Sequence, residues 1–221
     1  MSERSSLRDL LVLAAALTAC GKSGPAKPEA DPAAVTKLTD QFATNVPAPA
    51  GVRDCEPHDL DGGMTMTFRS VQLLAYSKVP DRPEDDEWTN PKDLDAPAVR
   101  ALLDAKDTKA KRQAAAEFLA APFYVVYRVD YANAPMALGI KELKISTLST
   151  RIFRYEKTGL PTCLIVFHVQ NDQKISDDAI AVSDKPVIDP AVARILREDL
   201  AKQFVAKAPR GKPPVPAGTK Q

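Results

Sequence analysis

Two histidines in 221 residues severely limit any mechanism that needs imidazole, whether in a catalytic triad or at a zinc ion. The charge balance is equally restrictive. Thirty Lys and Arg face twenty-nine Asp and Glu, and a formal charge of +1 gives no broad attraction for a polyanion, which argues against DNA or RNA as a partner. No apolar run approaches the roughly 20 residues that a membrane-spanning helix requires. A phosphate-binding glycine loop, a serine nucleophile elbow, an HExxH pair and a dinucleotide fingerprint are all missing, so the common enzyme classes have no foothold in the motifs. Glycine is scarce at nine residues, whereas nineteen prolines cluster at the two ends and in one central loop. The middle of the chain is therefore the folded part, and 44% hydrophobic with 27% charged residues is the composition of a soluble domain with a core.

The first 19 residues have the layout of a secretory signal. A short polar segment with Arg4 and Arg8 precedes the apolar run Leu10 to Ala16, and small residues lead to Cys20. The stretch Leu17-Thr18-Ala19-Cys20-Gly21 resembles the lipobox of bacterial lipoprotein precursors. That resemblance implies a diacylglycerol on the Cys20 thiol, cleavage after Ala19 and acylation of the new amino group, so that Cys20 begins the mature protein. It also implies a lipid-anchored, extracytoplasmic protein of the cell envelope. Gly21 is compatible with outer-membrane export in a diderm bacterium. Each buried methylene contributes about 0.8 kcal/mol, so two or three acyl chains hold a protein where one would release it.

Beyond residues 1–19 the chain divides into a tether over 20–50, a globular domain over 51–208 and a Pro-rich tail over 209–221 expected to be disordered. Inside the tether, Asp31-Pro32 has the form of a helix cap, predicting a short helix to about Asn45. Phe123 to Tyr131 alternates with period two, its odd positions apolar and Arg128 and Asp130 opposite. Lys141 to Tyr155 follows as one bent strand or two, with a bulge or turn near Ser149. Cys163 to Val169 returns after the turn at Glu156–Pro161. Gly63 to Tyr76 mixes both periods and reads as a strand running into a helical turn. Asp95 with Pro97 opens a helical stretch through Ala121, broken near Asp107, and Asp189-Pro190 opens another to about Lys207. The order predicts an α+β single domain, an antiparallel β-meander with helices packed on one face.

Once Cys20 is set aside, Cys55 and Cys163 form an even pair in an oxidising compartment, which predicts a disulfide; the alternative is a core thiol at Cys163 and an exposed Cys55. Cys55 and His58 lie close together among Asp54, Glu56, Asp59 and Asp61. No second Cys/His cluster completes a zinc site, and Asp59-Leu60-Asp61-Gly62 lacks the rest of a calcium loop, so neither metal nor other cofactor is expected. His168 shares a strand face with Leu164 and Val166 and reads as a half-buried, satisfied histidine. The acidic loop Pro80 to Pro91 carries Asp85, Asp86, Glu87 and Trp88, either a recognition surface or a tryptophan plug over the core.

These readings converge on a membrane-anchored envelope lipoprotein whose body is a non-enzymatic binding or structural module for an envelope protein or polymer. The alternative is a membrane-tethered, carboxylate-dependent hydrolase. A metal-binding protein centred on Cys55 and His58 is a third reading, and an oxidised Cys55 removes it. An enzyme requires a concave site with convergent, pKa-shifted carboxylates, whereas a binding module can use a patch.

Overall fold

Alternating side chains make the three long strands at the centre of the structure, a computed structural model. It describes residues 27–45, 52–75, 89–133, 136–137, 143–144, 146–171, 180–181, 187–188 and 190–212. Cys20 and the signal segment, the acidic loop residues 85–88, and tail residues 213–221 lie outside the described residues.

The elements in chain order are helix α1 (Pro32–Thr44), strand β1 (Arg53–Asp54), β2 (Met64–Thr67), α2 (Phe68–Ala75), α3 (Pro97–Asp104), α4 (Thr108–Ala120), β3 (Tyr124–Asn133), β4 (Met136–Ala137), β5 (Leu143–Lys144), β6 (Thr147–Tyr155), β7 (Pro161–Gln170), β8 (Ile180–Ala181), β9 (Val187–Ile188) and α5 (Pro190–Lys207). Short 3₁₀ turns occupy Pro57–Leu60 and Lys92–Leu94. No helix among the described residues is long and apolar enough to cross a membrane.

The main sheet has the order β1-β7-β6-β3-β2. Its centre, β3-β6-β7, is the expected antiparallel meander, while both edge strands add in parallel, β2 on β3 and β1 on β7. The fold is α+β in a single domain with a mixed sheet. The irregularity expected near Ser149 belongs to its partner: between Val129↔Thr150 and Tyr131↔Ser149 the extra residue is Asp130 on β3. Asp130 is held there by Arg151, whose Nε and Nη2 donate to its two carboxylate oxygens at 2.6 and 2.7 Å.

Helices cover both faces of the sheet rather than one. Even positions Tyr124 and Val126 of β3 pack with Phe153 and Tyr155 under α1, α2, α3 and α4; odd positions Phe123, Val125, Tyr127 and Val129 pack with Ile152 and Cys163 under α5. The reason lies in β3 itself, where Tyr124 to Tyr127 are all buried, as in a strand sandwiched between two layers. From α5, Leu196, Leu200 and Phe204 point inward at four-residue spacing, whereas Ile195 stays on the surface.

The two ends of the body are also displaced from the expected boundaries. Asp31 caps α1 by accepting from Ala33 N at 3.0 Å, and the helix buries Val35, Leu38 and Phe42 in the core instead of lying in a spacer. Ala30 N donates to Arg112 O, so the folded body begins near residue 29. Residues 209–212 are docked rather than disordered: Tyr127 Oη donates to Pro209 O at 2.9 Å, and Gly62 N donates to Lys212 O at 2.7 Å. Gly211 permits this approach, since a Cβ there would overlap the Leu60 carbonyl.

Candidate functional site

A cleft of about 490 Å³ opens where β2 turns into α2 against the Lys92–Leu94 turn and α3. Its floor comes from a strand-to-helix corner. Thr67 ends β2, and its Oγ1 accepts from Ser70 N at 3.2 Å, capping the start of α2. Asp95 arrives from 25 or more residues away and completes the corner, Oδ1 accepting from Thr67 N at 2.7 Å and Oδ2 from Ser70 Oγ at 2.6 Å. Thr67 Oγ1 in turn donates to Ser70 Oγ at 3.0 Å. Ala96 N bonds to Thr65 O, which holds this segment along the free edge of β2.

Arg69, Lys92 and Arg100 stand around the cleft, Leu73 and Leu103 give it an apolar wall, and Asp104 adds a second carboxylate. Asp95 is 4% exposed, and burial pushes its carboxyl above the ordinary aspartate range, against the opposing pull of Ser70, Thr67 and the Arg100 charge. A carboxyl raised in this way favours folding below its unfolded-state pKa, and that contribution is lost as pH climbs through the folded value. Asp95→Asn removes the titration and keeps an acceptor for Thr67 N. Urea midpoints of the two proteins are therefore expected to diverge with pH, the wild type losing ground to the variant as pH rises. A midpoint difference that stays constant across the carboxylate range would refute the burial cost.

The corner was not legible as a site. Asp95 reads in sequence as the opening of the next helix, yet the N-cap position of α3 is Ala96, which makes no side-chain cap bond. No local pattern announces that an aspartate will serve a helix 25 residues earlier in the chain.

The residues that sequence reasoning did single out go elsewhere. Cys55 and Cys163 are joined as a disulfide with a Cα–Cα distance of 5.0 Å. That removes the metal reading of Cys55 and His58, because the sulfur is no longer a thiolate ligand. The acids around it have partners of their own. Asp59 takes Arg53 Nη1 and Nη2 at 2.8 and 2.9 Å, which hold its carboxyl well below the usual range, and Asp61 Oδ1 accepts from Lys212 N at 2.7 Å. His58 lies on the surface 3.3 Å from Glu56. His168 is exposed rather than half-buried, as is Val166 two residues before it on the same face of β7. Neither histidine lines the cleft. Among the described residues no group of three or more His, Cys, Asp and Glu could hold a metal ion.

The chain matches no protein-family model, no curated protein and no solved structure.

Proposed function

We propose that this protein is a lipid-anchored envelope lipoprotein, acylated on Cys20, whose α+β body is a non-enzymatic binding module with the Asp95 cleft as its ligand site. The observation that carries the binding reading is the cleft's composition. Its floor is a buried carboxylate locked by Thr67 and Ser70, its surround is cationic, and Ser70 Oγ is engaged with Asp95 with no imidazole lining the site to act as its base. The disulfide supports the location, since such bonds persist in oxidising compartments, and it leaves Cys20 as the one cysteine outside the pair.

With α1 in the body, the spacer shortens to about residues 20–28, at most roughly 30 Å when fully extended. The cleft would then work close to the membrane, not at the end of a long arm. The natively anchored protein, extracted in mild detergent without reductant, is expected to show the intact mass of residues 20–221 plus acyl groups and less two hydrogens for the disulfide. A retained signal segment, or an unacylated chain, would remove the lipoprotein reading.

The presence of two carboxylates, Asp95 and Asp104, in one cleft favours a second reading, the tethered hydrolase. In it, Asp95, whose carboxyl burial pushes above the ordinary aspartate range, serves as the general acid. Turnover of nitrophenyl glycosides or esters by the wild type, lost in both Asp95→Asn and Asp104→Asn, would select it.

A further inference from the structure

We propose that the cleft takes a small zwitterion, its primary ammonium on Asp95 and its carboxylate or phosphate on Arg69, Lys92 and Arg100. This rests on reading the cleft as a ligand site and adds the chemical class of the ligand. Asp95 lines the cleft, yet among the described residues no cation lies within ion-pair distance of it. Its two oxygens accept one bond each from Thr67 and Ser70. A carboxylate has about four lone-pair sites, so acceptor capacity remains. A buried charge without a counter-ion is costly, and a ligand ammonium supplies one. The three cations of the surround likewise have no ion-pair partner among the described residues.

A ligand of one sign satisfies only part of this arrangement. A simple cation meets Arg69, Lys92 and Arg100, whereas a simple anion meets Asp95 and Asp104. A molecule with both charges a few bonds apart pairs with each. Leu73 and Leu103 offer a surface for a short aliphatic portion, and about 490 Å³ falls within the roughly 300–1,000 Å³ of small-molecule sites. A free amino acid and an aminoalkyl phosphate headgroup share this chemistry.

The test is calorimetric titration of the full mature protein in detergent with L-leucine, O-phosphoethanolamine, N-acetyl-L-leucine and L-leucinamide. One of the two zwitterions is expected to bind at least about ten-fold tighter than the anion-only and cation-only analogues, as charge-assisted hydrogen bonds allow. Leucine as the better ligand points to free amino acids, phosphoethanolamine to a headgroup. Asp95→Asn should weaken the preferred zwitterion about ten-fold or more and leave N-acetyl-leucine unweakened. Should Asp95→Asn not fold, the Lys92→Gln/Arg100→Gln double variant decides, because both side chains are exposed; it is expected to lose the zwitterion with an unchanged circular dichroism spectrum. Equal or tighter binding of a single-charge analogue would overturn the zwitterion while keeping the cleft as a site. No binding of any of the four probes would overturn both readings.

Discussion

Phe42→Ala is expected to lower unfolding free energy by about 3–5 kcal/mol, the usual cost of removing a fully buried phenylalanine. Phe42 has no exposed surface, and its ring centroid lies 5.0 Å from that of Tyr124 and 4.8 Å from that of Tyr155. Its carbonyl also accepts from Tyr155 Oη at 3.4 Å, and Asn45 beyond the helix end donates to Gly159 O at 2.6 Å. Gly159 is itself constrained, with φ of +78° and no room for a Cβ beside Gln41, so α1 and the β6–β7 turn are matched surfaces. The cavity left by alanine would open between α1 and two strands that cannot close on it. Urea unfolding measures the effect as a shifted midpoint at constant slope. Leu73→Ala, at a 44% exposed position of α2, serves as the comparison and should stay within about 0.5 kcal/mol. A Phe42→Ala loss below about 1 kcal/mol would mean that α1 is not packed into the core.

Loss of the Cys55–Cys163 bridge should cost about 2–5 kcal/mol, the range for removing a native disulfide. The cross-link joins residues 108 apart in sequence, and chain-entropy arithmetic for a loop of about 100 residues gives roughly 4.7 kcal/mol. Its position adds to the expectation. Strand β1 has two residues, parallel to β7, and its continuation adds one bond from Cys55 N to Leu164 O at 2.8 Å. So short an edge strand has little else to hold it. The Cys55→Ser/Cys163→Ser double variant, or the wild type in reductant, should melt roughly 10 °C lower. An unchanged melting temperature would mean that β1 is held by the Arg53–Asp59 pair and the docked 209–212 segment instead. The shape of the cleft should survive reduction wherever the fold does, because β1 and β2 occupy opposite edges of the sheet.

Local elements were legible because their signals are local. Period-two alternation marked β3 and β7, and the mixed periods of Gly63 to Tyr76 marked a strand running into a helical turn, whose join the structure places between Thr67 and Phe68. Asp107 broke the helical stretch as expected: it caps α4 by accepting from Ala110 N at 2.9 Å. Asp31-Pro32 placed α1 to within a residue at its start, yet it could not say whether the helix lay in the spacer or in the core. An amphipathic stripe of Val35, Leu38 and Phe42 is the same whether its partner is known or not, and the partner here, Tyr124 with Tyr155, lies more than eighty residues on.

By itself the sequence determined the α+β class, the central meander and the ends of α1 and α5, and through the parity of its cysteines it offered the Cys55–Cys163 pair beside the alternative of two free thiols. Caps, turns and hydrophobic periods act over a few residues, and disulfide pairing by count needs no geometry once one cysteine is assigned elsewhere. The tertiary structure alone decided the parallel edges, the second helical layer over β3, the bulge at Asp130 and the cleft. Each of these is a meeting of residues distant in the chain. Asp95 has the chemistry of a helix cap in any context; that it instead braces Thr67 and Ser70 at the start of α2, buried and with no cation within ion-pair distance among the described residues, follows from the packing of Ala96 on the edge of β2.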